Sequence, residues 1–281
     1  MKNKLYLIFC TTIKLTRTAL GLIFIILLLV ACQKEKTTEV TDNTGKIVFK
    51  FSHYVDGKPL QTDTLKYVNA AGNKYMVNEV KYFISDVTLI RNDGSKKLID
   101  DWTDIYYVDN DINSTLKWQV FDEIEIGNYN SISFTFGINE AKNKSMLFVN
   151  PPEVNMAWPG ILGGGYHYLM INGRFLDKYN KMQSLIFHLG IGQLYKNDII
   201  NTDSIYAFKQ NFFTVNLPAA AFTVKKNQTT EIELIMNIEE WFKNPNIFDF
   251  DLYGLNTMQD QKAMQMMKEN GSDVFSVGYI N

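Results

Sequence analysis

The stretch 131–138 reads Ser-Ile-Ser-Phe-Thr-Phe-Gly-Ile, a strict alternation of small or polar residues with large apolar ones. Neighbouring side chains on an extended strand point to opposite faces. Ile132, Phe134, Phe136 and Ile138 therefore share one face, and Ser131, Ser133, Thr135 and Gly137 the other. The same period returns in Ile47, Phe49 and Phe51, and in Val80, Tyr82 and Ile84. Further strand candidates are 166–171, 184–189, 211–217, 231–238 and 273–280. Aromatic residues are 14% of the chain, a bias that suits pleated, half-buried surfaces. The turn Arg91-Asn92-Asp93-Gly94-Ser95 carries the Asp-Gly pair of a tight hairpin. Many short strands separated by turn signals predict a mainly β chain, an antiparallel β-sandwich-like single domain. One or two short helices are expected near the C-terminus. One covers 257–270, with Gly271 just past its end, and a single turn covers 239–243.

The N-terminus belongs to targeting rather than to the fold. Lys2, Lys4, Lys14 and Arg17 precede an apolar run at 19–31, shorter than the roughly 20 residues a spanning helix needs. Leu29-Val30-Ala31-Cys32 then resembles a bacterial lipobox, whose Cys is acylated after cleavage. The expected organisation is a lipoprotein signal peptide at 1–31, a lipidated flexible tether at 32–45 and one domain at 46–281. Cys32 is the lipidation site. Gln33 follows it in place of Asp, which points away from inner-membrane retention. The expected location is the cell envelope of a gram-negative bacterium, anchored in the outer membrane on its periplasmic or surface face. With Cys10 removed and Cys32 acylated, no disulfide is available, and the core alone must hold the domain. A net charge of −2 argues against nucleic acid as a partner.

Candidate chemistry begins with the histidines, of which there are three. His53 continues the phase of Ile47, Phe49 and Phe51. His167 shares a phase with Leu169 and Ile171, and His188 with Ile186. None lies in a polar stretch. Neutral imidazole is a common ligand for copper and zinc, so three imidazoles on apolar strands make a candidate metal site. Gly163-Gly164-Gly165 stands directly before Tyr166-His167 and fits neither GxGxxG nor a Walker loop. It reads either as a loop that turns sharply into a buried strand or as one folded tightly over a site that contains His167. Met258, Met264, Met266 and Met267 recur at helical spacing and read as packing. Catalytic constellations are absent from the sequence: it has no G-x-S-x-G. The carboxylate pairs Asp100/Asp101 and Glu239/Glu240 are adjacent, so on strands their members face opposite ways. The chain reads as a non-enzyme.

Several short motifs occur in order. They are Phe51-Ser52-His53; Val80-Lys81-Tyr82-Phe83-Ile84-Ser85; Gly127-Asn128-Tyr129 leading to Phe134 and Gly137; Met156-Ala157-Trp158; Gly165-Tyr166; and His188-Leu189-Gly190. In this order the chain resembles the MbnP-like family, copper-binding proteins associated with methanobactin operons and widespread as exported lipoproteins. The resemblance implies a β-sandwich-like domain that binds copper. Joined to the reading of the strand histidines, it makes His53, His167 and His188 the expected copper ligands, with His167 compensating for a lost family donor. It also implies a tryptophan oxidised to kynurenine by a di-haem partner enzyme, which makes Trp158 a candidate modified or neighbouring ligand. Gly160 stands where the family commonly has a second Trp. A different class of function remains open beside this one: a surface adhesion or glycan-binding sandwich without metal, stacking sugars on Trp102, Trp118 and Tyr106.

Overall fold

Strand β1 (Thr44–Val55) opens the domain and sits inside a six-stranded sheet. Its inward residues are Ile47, Phe49, Phe51, His53 and Val55, all buried. A computed structural model of the chain describes residues 43–281. The expected signal at 1–31, the acylated Cys32 and nearly all of the 32–45 tether lie outside those residues. The strand begins at Thr44, ahead of the expected 46, because Thr44 and Gly45 pair with Glu125 and Ile124. Residues 43–281 cluster as one unit.

The facing sheet has nine strands. Its spine is β2 (Lys74–Arg91), flanked by β3 (Gly127–Phe136) and β4 (Leu169–Leu176). Beyond β4 lies β5 (Met182–Leu189), and beyond β3 lies β6 (Phe213–Leu217). At 18 residues β2 is long enough to change partners along its length. It pairs with β4 around Tyr75–Tyr82 and with β3 from Ile84 to Arg91. Between them Asp86 adopts φ 55° at a register shift. Its carboxylate is held by Thr135, Asn139 and Lys142, which fixes the bulge in place.

The six-stranded sheet closes with β7 (Thr229–Asn237) and β8 (Phe275–Ile280). The expected pairing of the C-terminal strand is present, antiparallel to β7. The β1–β7 pairing itself is parallel, while the other strand pairings among the described residues are antiparallel. Between the sheets lies an aromatic core. Phe51 meets Tyr82, Phe134 meets Phe275, and Phe136 meets Trp241, with ring centroids 5.2 to 6.5 Å apart. Ile132, Phe134 and Phe136 are all inside it, on the face their alternation predicts. The expected hairpin at Asp93-Gly94 also forms, with Gly94 at φ 84° and Arg91 N–H donating to Ser95 O at 2.9 Å.

Helix α1 (Phe250–Tyr253) is a single turn, and α2 (Gln261–Asn270) is the main helix. The latter starts later than the expected 257 because Asp260 caps it, accepting from Ala263 N–H at 2.9 Å. Met264 and Met267 are fully buried beneath it, as packing residues. The expected turn at 239–243 is a 3-10 segment at Ile238–Phe242. Among the described residues no helix is long and apolar enough to cross a membrane.

Candidate metal centre

The register of the larger sheet assigns side chains to its two faces. Tyr82 contacts Phe51 and His53 of the opposite sheet, so it faces the core. Its neighbour Lys81 faces away. Lys81 pairs with Met170, which pairs with His188, so this row lies on the face turned away from the six-stranded sheet. Thr257 fixes the backbone at that point. Its hydroxyl accepts from His188 N–H at 2.8 Å and donates to His188 O at 2.6 Å.

A tight loop brings two more rings to the row. Trp158 N–H donates to Gly165 O at 2.8 Å, and His167 N–H donates to Met156 O at 2.7 Å. These bonds clamp 156–158 against 165–167. The chain between them must reverse within a few residues, and Gly163, Gly164 and Gly165 do so at φ 120°, 70° and 76°. A Cβ on Gly165 would sit 2.5 Å from Asn143 Oδ1, so the position excludes any side chain as well as favouring positive φ.

The result is a line of three rings. Trp158 lies 4.6 Å from His167 between centroids, and His167 lies 5.1 Å from His188, each edge to face. The indole donates from Nε1 to Leu162 O at 3.0 Å. Its benzo edge lies against Gly190, where a Cβ would come within 2.6 Å of ring carbons. The third residue of His188-Leu189-Gly190 thus makes room for the Trp.

Each imidazole has one ring nitrogen engaged and one without a protein partner. His167 Nδ1 is 2.9 Å from Met156 O, a group that only accepts, so Nδ1 carries the proton and Nε2 the lone pair. His188 Nε2 is 2.8 Å from Asn172 Oδ1. The remaining atoms, His167 Nε2 and His188 Nδ1, are buried and unpartnered. Burial lowers His167 to about 4, outweighing the backbone hydrogen bonds that raise it. Burial, then repulsion from His167, lowers His188 to about 3. Both rings are neutral at physiological pH. Two neighbouring neutral imidazoles with open lone pairs are the donor chemistry that copper or zinc takes.

His53 is elsewhere. Its ring lies 5.7 Å from Tyr82, between the two sheets, while His188 is on the opposite face of the larger one. The structure therefore joins two of the three expected histidines, with Trp158, and leaves the third apart. Strand phase did not separate them because the larger sheet is covered on both faces, so His53 and His188 each keep apolar company. Among the described residues, the one group of three His, Cys, Asp or Glu with ligand atoms mutually within 4.8 Å is Asp100, Asp101 and Asp122. Its cation is already present, with Lys97 Nζ 2.5 Å from Asp122 Oδ1.

The sugar-stacking surface expected as the alternative does not assemble. Trp118 is buried and stacks on Tyr106 at 4.6 Å, which leaves Trp102 exposed beside Phe121. Sequence reading passed over Asn172 and Thr257, which hold His188. Asn172 had one signal, since Asn is depleted in strand interiors and this one sits inside β4.

The model of the MbnP family matches residues 44–264. A solved structure, MbnP from Methylosinus trichosporium, aligns at a TM-score of 0.51 and 16% identity, covering 83% of this chain and 98% of that one. At that identity the likeness is one of fold. No curated protein matches the chain.

Proposed function

The chain belongs to the MbnP family, and from that membership together with the paired imidazoles we propose that it binds copper without catalysing a reaction. The observation that carries this reading is the neighbouring pair His167 and His188, with ring centroids 5.1 Å apart and edge to face, both buried and neutral and each with a nitrogen that has no hydrogen-bond partner. An apolar, preformed pair of this kind costs free energy while its lone pairs face nothing, and a bound metal removes that cost. The residues that would hold copper are His167 Nε2 and His188 Nδ1. Trp158 lies against His167 and is the residue for the oxidation that the family resemblance implies. Opening its indole would add an aryl amine and a carbonyl as potential donors. A di-haem enzyme is the proposed partner for that step. Lipid on Cys32 would tether the domain to the outer membrane, and capture or handling of copper in the envelope would be its task.

Copper added in slight excess to a tag-free chain beginning at Gln33, followed by desalting and metal analysis, tests the reading. The expected result is about one retained copper per chain, a single ion being what one imidazole pair can hold, and its loss in His188→Ala. Copper that washes out of the wild-type protein, or stays equally in the variant, overturns it. The Trp158 part has a separate check. The peptide containing it, isolated from the native host, should differ in mass from unmodified sequence, and an unmodified mass removes that part alone.

A further inference from the structure

A short polar chain crosses the outer face of the larger sheet and ends on His188. Two adjacent rows supply it: Lys81, Met170 and His188 in one, Glu79, Asn172 and Ile186 in the next. Lys81 Nζ is paired with Glu79 Oε2. Asn172 Nδ2 donates to the other oxygen, Glu79 Oε1. Asn172 Oδ1 then lies 2.8 Å from His188 Nε2. Burial raises the Glu79 carboxyl, but hydrogen bonds from Lys81 and Asn172 outweigh it and hold the group below its ordinary value. The carboxylate is ionised at neutral pH.

The direction of every bond in this chain follows from its first member. An ammonium only donates, and an ionised carboxylate only accepts. Asn172 must therefore turn its NH2 towards Glu79, which leaves its oxygen for the histidine. An amide oxygen also only accepts, so His188 Nε2 must carry the ring proton. The lone pair is left on Nδ1, the buried nitrogen without a hydrogen-bond partner. His167 arrives at the opposite assignment through Met156 O, with its lone pair on Nε2. The two rings thus keep their lone pairs on unlike nitrogens.

We propose that Glu79 and Asn172 are positioning residues that lock the proton of His188 on Nε2 and so present Nδ1 to the metal. The role rests on the copper reading for its use, though not for its test. Outer partners of this kind are worth about 10–100-fold in metal affinity where they have been removed.

One isosteric change should reverse the whole chain. In Glu79→Gln, Lys81 still needs an acceptor and takes the amide oxygen. The introduced NH2 then faces Asn172, which must present its oxygen there and its own NH2 to His188. The ring proton moves to Nδ1, and the Nε2 lone pair is tied up. The double variant Glu79→Gln/Asn172→Asp places a carboxylate one step further along. It accepts from both sides and returns the proton to Nε2. The readout is the nitrogen-15 spectrum of the histidine side chains in copper-free protein, tractable because the chain has three histidines. Expected are Nε2–H in the wild type, Nδ1–H in Glu79→Gln and Nε2–H again in the double variant. Copper retention should fall by about 10–100-fold in the single variant and recover in the double. A wild-type proton on Nδ1, or a folded Glu79→Gln with its proton still on Nε2, overturns the proposal. If Glu79→Gln does not fold, the double variant decides alone, and a proton on Nδ1 there overturns it. A reversal of the proton in protein that binds no copper upholds the relay and overturns the copper reading instead.

Discussion

His53 and His188 are the same residue type in nearly the same physical state. Each sits on a strand at 8% and 7% exposure, each is lowered by burial, to about 4 and about 3, and each has a buried nitrogen without a partner. They differ in what surrounds the ring. His188 has a second imidazole at 5.1 Å, an amide on its far nitrogen and a hydroxyl holding its backbone. His53 has the edge of Tyr82, whose own hydroxyl is also unpartnered. Depressed basicity is thus what a sandwich does to any histidine it buries. A site arises only where a second segment brings another donor to the same spot.

Metal binding should break the likeness most sharply. His167→Ala and His188→Ala should each lower copper affinity by more than about 100-fold, a larger loss than that of an outer partner. His53→Ala should change it by less than about threefold, since the sites are separated by the sheet. Competition with a colorimetric copper chelator measures both.

Acid should affect the two regions alike. All three imidazoles are neutral when folded and titrate near pH 6.5 when unfolded. Between pH 6.5 and about 4 the unfolded chain binds protons that the folded chain does not. Their stability contribution is therefore complete above pH 6.5 and is lost as pH falls towards 4, at about 1.4 kcal/mol per pH unit for each ring. Urea melts of metal-free protein at pH 7 and pH 4.5 should show the loss. Replacing His53 or His188 by Leu should remove similar shares of the slope, and an unchanged slope in either would count against its neutral burial.

Two smaller effects should belong to the metal corner alone. Thr257→Val strips both backbone partners from buried His188, and about 2 kcal/mol of stability should go with them. Gly190→Ala should cost about 1–2 kcal/mol by pressing on the Trp158 ring. Its signature is a change in Trp fluorescence, which no His53 substitution should reproduce.

Much of the architecture could be read from alternation, because a strand with one buried face writes that face into every second residue. Ile132, Phe134 and Phe136 are the clearest case. Partner choice is not written there, so the parallel pairing of β1 with β7 had no local signal. The start of α2 was misplaced because Thr257, a good cap by type, spends its hydroxyl on His188 instead, and Asp260 caps the helix. At the site, the approach of Trp158 to His167 was foreshadowed by the glycines that make the loop possible. The exclusion of His53 was hidden, since period two tells a residue's face but not which sheet face another strand will offer. Trp118 and Tyr106 could pass for exposed platforms in the sequence because each is the other's cover.

The parallel seam between β1 and β7 also sets an order of events in time. Ser52 on the first strand bonds Glu233 on the seventh, 181 residues away in the chain. A pairing that distant cannot form early, since closing so large a loop comes before any contact repays it. A chain emerging from its N-terminus keeps the β7 edge of β1 waiting until almost everything else has been made, while the other edge meets residues 58–59, 117–119 and 124–125 much sooner. The molecule should therefore assemble its larger sheet first and close last. A chain cut before residue 229 should leave one edge of the first strand open and ready to pair with another copy.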